Sequence, residues 1–315
     1  MKILVLGSLN IDRTYTVETI AVPKETIAAK GFESFCGGKG FNQAVALARA
    51  GSEVSFAGII GSDGGFFLDA LHADGIDTSC IRRSPGPNGH AVIQVDNSGQ
   101  NCIIIVAGSN GEVDKSYIDE VLAQFSAGDL IVLQNEISCV DYAITEAHRR
   151  GLTVAFNPSP FNEKVWACDL SQVDILLVNE VEGTALCTPD DAADVPGALH
   201  GRYPNMTVLL TKGEAGSEFV NRDGKRYAAS AIKCVAVDTT AAGDTYTGYF
   251  LHELFAHGHP EQALETASAA SGISVTRKGA SPSIPFAEEV HTYEKEHCCP
   301  GSPTFGRTQP YAQNG

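Results

Sequence analysis

The sequence predicts an α/β fold in which a mostly parallel sheet is covered by helices on both faces. Short, near-continuous apolar runs such as Val54–Ile60 and Ile175–Asn179 read as strands buried on both sides. They alternate with segments of helical periodicity such as Phe66–Ala73. Parallel strands need crossover connections, and right-handed crossovers place all their carboxyl ends at one edge, where open α/β sheets bind ligands. We therefore expect polar residues that follow strands to form the functional site.

The same alternation continues along the chain. Further predicted strands are Met1–Gly7, Leu130–Leu133, Val154–Asn157 and Val208–Thr211, and further predicted helices are Tyr142–Arg150, Glu180–Cys187 and Glu261–Ser274. An antiparallel hairpin is predicted for Ser217–Val220 and Lys225–Ala228, because Asp223-Gly224 is a typical hairpin turn.

Two segments, about residues 13–35 and 90–107, interrupt this alternation with β-branched, alternating patterns. The second contains the turn signal Asp96-Asn97-Ser98-Gly99. We interpret both as a small β lid that excludes water from the site; an edge extension of the main sheet is the alternative. Apolar positions such as Ile103 and Ile105 could pair two lids, which predicts a homodimer by sheet extension.

Composition narrows the class of protein. The chain has 315 residues of which 43% are hydrophobic, enough for a large core. Its 22 basic against 38 acidic residues give a net charge of −16, which repels polyanions, so nucleic acid is not an expected partner. No apolar run reaches the ~20 residues that span a bilayer, so no membrane association is expected.

Nine cysteines are scattered singly apart from Cys298-Cys299, so we expect reduced thiols and a cytoplasmic protein. The predicted folded domain covers residues 1–296. Residues 297–315 contain little apolar sequence, and we expect them to form a disordered tail.

The stretch Asp238-Thr239-Thr240-Ala241-Ala242-Gly243-Asp244 is the candidate catalytic element. It follows a predicted strand, Ala231–Val237, and precedes residues at helical spacing. Free amides at a helix start, next to the small residues Ala241, Ala242 and Gly243, favour an anion site. Asp244 would repel that anion unless it faces a proton to be removed, which points to phosphoryl transfer to a hydroxyl. The alternative is that Asp244 is an ordinary helix cap.

A second glycine-rich element, Gly37-Gly38-Lys39-Gly40-Phe41-Asn42, leads into a predicted helix that ends at Gly51. It is not a phosphate-binding Walker A loop, because Glu33 occupies the position of the leading Gly and Gly40 that of the Ser or Thr after the Lys. Its glycines would instead let a ligand lie against the backbone.

Together with Asn179-Glu180-Val181-Glu182, these elements resemble the ribokinase-like (PfkB) family of sugar and nucleoside kinases over about residues 1–290. The resemblance implies ATP-dependent phosphorylation of a primary hydroxyl of a small sugar, with D-ribose to ribose 5-phosphate the first choice. Deoxyribose, fructose or a nucleoside are alternative substrates within the family. A sugar or nucleotide sensor without turnover is the alternative outside enzymes.

The resemblance also implies roles for individual residues. Asp244 would take the hydroxyl proton while the amides of residues 241–244 hold the developing charge. The sugar contacts would be Asn10, Asp12, Gly38, Lys39, Asn42, Glu136 and Asp244. The nucleotide contacts would be Asn179, Thr211, Gly213, Gly216 and Ser268. From the residues alone, Asn10 and Asp12 could equally be turn formers, and Glu136 a helix cap.

Two ions are implied in the same way. Mg²⁺ would be positioned through water by Glu182, which suits an ion that keeps several of its waters. K⁺ would be enclosed by the Asp238 carboxylate and by oxygens of Thr240, Ser274, Arg277, Gly279 and Ser283. Such a ring of oxygens replaces the hydration shell of K⁺.

Overall fold

A computed structural model describes residues 1–191 and 193–297. In chain order the strands are β1 (Ile3–Leu6), β2 (Asn10–Thr16), β3 (Gly31–Gly37), β4 (Val54–Ile60), β5 (Asp77–Arg83), β6 (Gly89–Val95), β7 (Asn101–Val106), β8 (Leu130–Gln134), β9 (Thr153–Asn157), β10 (Ile175–Asn179), β11 (Thr207–Thr211), β12 (Ser217–Val220) and β13 (Arg226–Ala229). The helices are α1 (Lys39–Ala50), α2 (Phe66–Ala73), α3 (Lys115–Leu122), α4 (Val140–Arg149), α5 (Glu180–Leu186), α6 (Val195–Arg202), α7 (Ala242–His257), α8 (Pro260–Ser274) and α9 (Ala287–His297).

The main sheet has the strand order β13-β12-β11-β10-β9-β8-β1-β4-β5. It is parallel from β11 to β5, and the hairpin β12–β13 adds two antiparallel strands at one edge. Alternate residues of β1 enter two separate cores, Ile3 and Val5 on one face and Leu4 and Leu6 on the other. Helices α1, α2, α7, α8 and α9 cover the first face and α3 to α6 the second. The predicted α/β class is confirmed.

The four strands β3-β2-β6-β7 form a sheet of their own. Strands β6 and β7 are the hairpin expected around Asp96–Gly99. Asn10 and Asp12 lie in β2, so they belong to this second sheet and not to a turn after β1. Strand β7 is exposed along its whole length.

The strand predicted at Ala231–Val237 does not form. The segment is irregular, and its valines are exposed, Val235 by 85% and Val237 by 56%. The sheet ends at β13, and the segment leaves that edge so that Ile232 packs against Gly272 of α8. Alternation alone did not reveal that no neighbouring strand was available to pair with it.

Close helix packing brings α1 and α7 together. A side chain at Gly248 of α7 would collide with Ala46 and the backbone of Leu47 on α1. A side chain at Gly40 would collide with the backbone of Ser8 and Gly7 after β1. Helix α1 is therefore held directly against both the end of β1 and α7.

Two further expectations were a disordered tail at the carboxyl end and no association with membranes. The predicted disordered tail falls, from residue 298 onward, outside the described residues. Within the described ranges, the structure contains no helix that is long and apolar enough to cross a membrane.

Candidate active site

The first turn of α1 is fixed to the ends of two strands by Glu136, which follows β8. Its Oε2 accepts hydrogen bonds from Ser8 Oγ at 2.5 Å and from the amide nitrogen of Lys39 at 2.8 Å. Gly38 precedes the helix with φ of 95°, a conformation that favours glycine, and has no space for a side chain beside Asn10. The glycine-rich element therefore turns the chain tightly over the end of β1.

Helix α7 begins at Ala242, and Ala241 before it has a left-handed φ of 62°. The amide of Ala242 donates to Thr239 O at 3.2 Å, so it is already engaged. The amides of Gly243 and Asp244 lie in the first turn, where a helix offers no partner for them. The amides of Gly243 and Asp244 are therefore available to the predicted anion site, whereas the amide of Ala242 is engaged.

Asp244 is buried, with 7% of its surface exposed, and both of its carboxylate oxygens accept hydrogen bonds from α1. Asn42 Nδ2 donates to Oδ2 at 3.1 Å, and Gln43 Nε2 donates to Oδ1 at 2.9 Å. The side chain is therefore directed toward α1 and does not cap its own helix, for which no side-chain capping bond is present.

A cavity of about 240 Å³ lies in front of this helix start. Its wall contains Lys39, Asn157, Ser159, Leu177, Val178, Asn179, Glu182, Leu209, Thr211, Thr239, Ala241, Ala242, Gly243, Asp244 and Thr247. Residues predicted for the sugar, the nucleotide and Mg²⁺ thus share one cavity, at the carboxyl ends of β9, β10 and β11. The other predicted sugar contacts lie on β2 and around α1, beyond Lys39 and Asp244.

Three carboxylates and one ammonium group set the electrostatics of the site. Burial raises the pKa of Asp12 to about 7, and the neighbouring charges of Glu136 and Asp244 add to the effect. Burial by itself would lower the pKa of Lys39. The neighbouring carboxylates, led by Asp244, outweigh burial and raise that pKa, so Lys39 is a fixed positive charge in the cavity wall.

Asn179 and Glu182 form a capping box at the start of α5. Asn179 Oδ1 accepts from the amides of Val181 and Glu182 at 2.9 and 3.0 Å, and the Glu182 carboxylate accepts from the Asn179 amide at 2.9 Å. Glu182 is 5% exposed. These hydrogen bonds link the two residues, and Glu182 lines the cavity, so its carboxylate is the group that would hold Mg²⁺ through water.

The residues predicted for K⁺ join two loops. Asp238 Oδ1 accepts from the amide and hydroxyl of Thr240, and its Oδ2 accepts from the amide of Gly279 at 2.9 Å. Although burial alone would raise the pKa of Asp238, these hydrogen bonds lower it below its usual value. An ionised carboxylate between two loops rich in carbonyl groups is a donor set that fits a monovalent cation.

The side chains of the other residues predicted to bind K⁺ form hydrogen bonds or ion pairs with residues of this chain. Ser274 Oγ donates to Ser271 O, and Ser283 Oγ donates to Ala280 O. The Arg277 side chain pairs with Glu289, so only its backbone remains for a cation. The role expected for these three residues in binding K⁺ therefore depends on their backbone carbonyl oxygens.

Three of the predicted nucleotide residues lie outside the cavity wall. Gly213 is exposed in the loop after β11, and Gly216 follows it with φ of 92°. Ser268 is buried in α8. Their assignment to the nucleotide stays a prediction.

Sequence reasoning missed an amide network behind Asp244. Gln134 Nε2 donates to Gln43 Oε1 at 2.7 Å, and Gln43 Nε2 lies 3.4 Å from Asn157 Oδ1. Gln134 and Asn157 end strands β8 and β9, and Gln43 directly follows the predicted Asn42. The available signal was a second polar residue next to Asn42 within the otherwise apolar run Phe41–Ala48.

Most of the chain is similar to one family of known proteins. Residues 1–287 match the pfkB family of carbohydrate kinases. The chain belongs to this family. It is therefore an ATP-dependent sugar kinase, as the glycine-rich element and the Gly243-Asp244 helix start indicated.

Individual relatives agree with this assignment. The chain is 36% identical to the ribokinase of Haemophilus influenzae over 297 residues, which cover 91% of this chain and 96% of the relative. It is 33% identical to the deoxyribokinase of Salmonella typhi, over 93% of this chain and 98% of the relative. It is also similar to the solved structure of Arabidopsis thaliana ribokinase complexed with ribose and ATP, with a TM-score of 0.79 and 29% identity over 93% and 98% of the two chains.

The electrostatics of the site yield a testable prediction. In Glu136→Gln the pKa of Asp12 falls from about 7 toward its usual value, because one of the two neighbouring charges is removed while Ser8 and Lys39 keep an acceptor. The carboxyl carbon of Asp12 in ¹³C-aspartate-labelled protein reports the titration by NMR. Glu182→Gln is the control and leaves Asp12 unchanged. An identical Asp12 titration in Glu136→Gln and the parent would contradict the interpretation.

Proposed function

We propose that this kinase phosphorylates D-ribose at its primary hydroxyl, with ATP as donor, to give ribose 5-phosphate. The observation that carries the proposal is a buried carboxylate, Asp244, beside two free amides at the start of α7 and in the same cavity as Lys39. The ribose- and ATP-bound relative and the ribokinase similarity over nine-tenths of the chain support ribose as the acceptor.

The site supports in-line transfer of the γ-phosphoryl group. The acceptor hydroxyl oxygen forms a bond to phosphorus as the bond to the β-phosphate oxygen breaks, and ADP leaves with that electron pair. The hydroxyl proton passes to Asp244, as expected of a general base. The amides of Gly243 and Asp244 and the ammonium group of Lys39 stabilise negative charge on the transferring group.

The sugar is proposed to lie between the second sheet and α1. Asn42 Oδ1 is buried and has no hydrogen-bond partner within the described ranges, so a sugar hydroxyl would satisfy it. Asn10, Asp12 and Glu136 offer further acceptors beside the tight turn at Gly38. The nucleotide is proposed to lie across the cavity, beside Asn179 and Thr211.

Two ions are part of the proposal. Mg²⁺, held through water near Glu182, would neutralise phosphate charge. K⁺, held at Asp238, would support the loop that precedes α7. Removal of Mg²⁺ with EDTA is expected to abolish turnover and its return to restore it.

Deoxyribose is the second candidate acceptor, because the deoxyribokinase of Salmonella typhi is 33% identical to this chain. The two sugars differ in one hydroxyl, and the polar groups of the site do not by themselves separate them. Fructose and nucleosides remain weaker alternatives. A sensor without turnover is disfavoured because the carboxylate proposed as the base, Asp244, is present in the first turn of α7.

The first prediction concerns the base and the acceptor together. ADP release is measured with ribose, deoxyribose, fructose and adenosine, and the parent enzyme is expected to have its highest kcat/KM with ribose.

The same assay tests the base. Asp244→Asn keeps the size of the side chain but cannot accept the proton, so kcat falls by about 100- to 10,000-fold while ribose still binds. A kcat within threefold of the parent, at unchanged melting temperature, would exclude Asp244 as the base.

The second prediction concerns the monovalent cation. Turnover is expected to be higher in K⁺ than in Na⁺ or tetramethylammonium, because Na⁺ is too small for the cage and the organic cation too large. Asp238→Asn should raise the K⁺ concentration needed for half-maximal activity, because the cage loses its charge. Equal rates in all three salts would contradict the cation site.

The third prediction concerns the homodimer expected to form through the second sheet, β3-β2-β6-β7, which is the predicted lid. The exposed apolar residues of β7, including Ile103 at 50% and Ile105 at 51%, are proposed to pair with a second copy. Sedimentation equilibrium at micromolar concentration should give a dimer for the parent and a monomer for Ile103→Lys/Ile105→Lys. Trp166→Lys, at a position 62% exposed and outside the second sheet, is the control and should stay dimeric. A monomeric parent would rule the arrangement out.

A further inference from the structure

Gln43 is a fully buried amide on α1, a helix in which every residue from Gly40 to Leu47 is buried. Burial of an amide is costly unless each of its polar atoms finds a hydrogen-bond partner. The identity of the partners therefore indicates what the residue does.

The orientation of the Gln43 amide follows from its neighbours. An ionised carboxylate only accepts hydrogen bonds, so the amide nitrogen must face Asp244 Oδ1, at 2.9 Å. The Gln43 carbonyl oxygen then faces Gln134 Nε2, at 2.7 Å. On the other side Asn157 Nδ2 donates to Leu177 O at 2.7 Å, which turns Asn157 Oδ1 toward Gln43. The ends of β8 and β9 thus fix the amide in one orientation.

The two oxygens of Asp244 have different surroundings. Oδ2 accepts from Asn42, a proposed sugar contact whose own Oδ1 is free for a ligand. Oδ1 accepts from Gln43, whose other amide contacts are protein groups, Gln134 and Asn157, at the ends of β8 and β9. Oδ2 is therefore the oxygen available to an acceptor hydroxyl, and Oδ1 is the one by which the carboxylate is held.

We propose that Gln43 is a positioning residue for the phosphoryl transfer: it holds Asp244 with Oδ2 toward the acceptor hydroxyl and stabilises the ionised carboxylate that receives the proton. This inference rests on the proposed role of Asp244 as the base. Gln134 and Asn157 act one step further out, by fixing the orientation of the Gln43 amide.

The inference is tested with two variants at position 43. Gln43→Leu keeps the approximate size but removes the donor, and kcat should fall by about 10- to 100-fold, because a loosely held base is often misplaced. KM for ATP should change by less than threefold. Gln43→Glu keeps the shape but sets a second carboxylate against Asp244, and kcat should fall at least as much.

The pH profile separates positioning from a purely structural role. The charged groups that interact with Asp244 are Lys39 on α1 and Asp12 on β2, and both remain in place in both variants. Loss of the donor disfavours the ionised carboxylate, so the acid limb of the kcat profile should move to higher pH. The movement should be larger in Gln43→Glu than in Gln43→Leu.

Two controls complete the experiment. Gln262→Glu makes the same substitution on α8, where the side chain donates to Thr266, and should leave kcat and the pH profile unchanged. Asp244→Asn tests the base itself. If Asp244→Asn is inactive but both Gln43 variants have kcat within threefold and an unmoved acid limb, the inference about Gln43 is overturned while the proposed function stands. If Asp244→Asn keeps kcat within threefold, both are overturned.

Discussion

The close approach of α1 to the end of β1 and to α7 is the constraint on which the rest of the site depends. Gly40 has no space for a side chain against Ser8, and Gly248 has none against Ala46. Because the chain can approach this closely only at glycine, the first turn of α1 is held against the end of β1, and its middle is held against α7. One short segment at the start of α1 therefore makes all of these contacts. Its Lys39 amide bonds Glu136, and its Asn42 and Gln43 side chains bond Asp244.

This packing explains how an acidic protein can hold a polyanionic cosubstrate. Glu136 and Asp244 bring negative charge to the proposed sugar side, and burial, together with these two charges, raises the pKa of Asp12 to about 7. On the cavity side Lys39 and the free amides of α7 offset it. A carboxylate can therefore lie next to an anion site, because each faces a different part of the same reaction.

Much of this arrangement could be predicted from sequence, and the exceptions share a physical cause. Strands such as β4 and β10 were predicted correctly because burial on both faces leaves a continuous apolar run. The prediction of a strand at Ala231–Val237 was wrong because a strand needs a neighbouring strand to pair with, and a local sequence pattern cannot show whether one is present. Gln43 was missed because a glutamine in a helix usually lies at the surface, and only the packing of α1 against α7 and the ends of β8 and β9 buries it.

The central claim is that Asp244 accepts the proton of the primary hydroxyl while the start of α7 holds the phosphoryl group. A crystal structure with ribose and a non-hydrolysable ATP analogue measures this directly. The account predicts the O5 hydroxyl of ribose at hydrogen-bond distance, about 2.6–3.2 Å, from Asp244 Oδ2, with the γ-phosphate at the amides of Gly243 and Asp244. A complex in which O5 points away from Asp244, or in which the γ-phosphate lies elsewhere in the cavity, would contradict it.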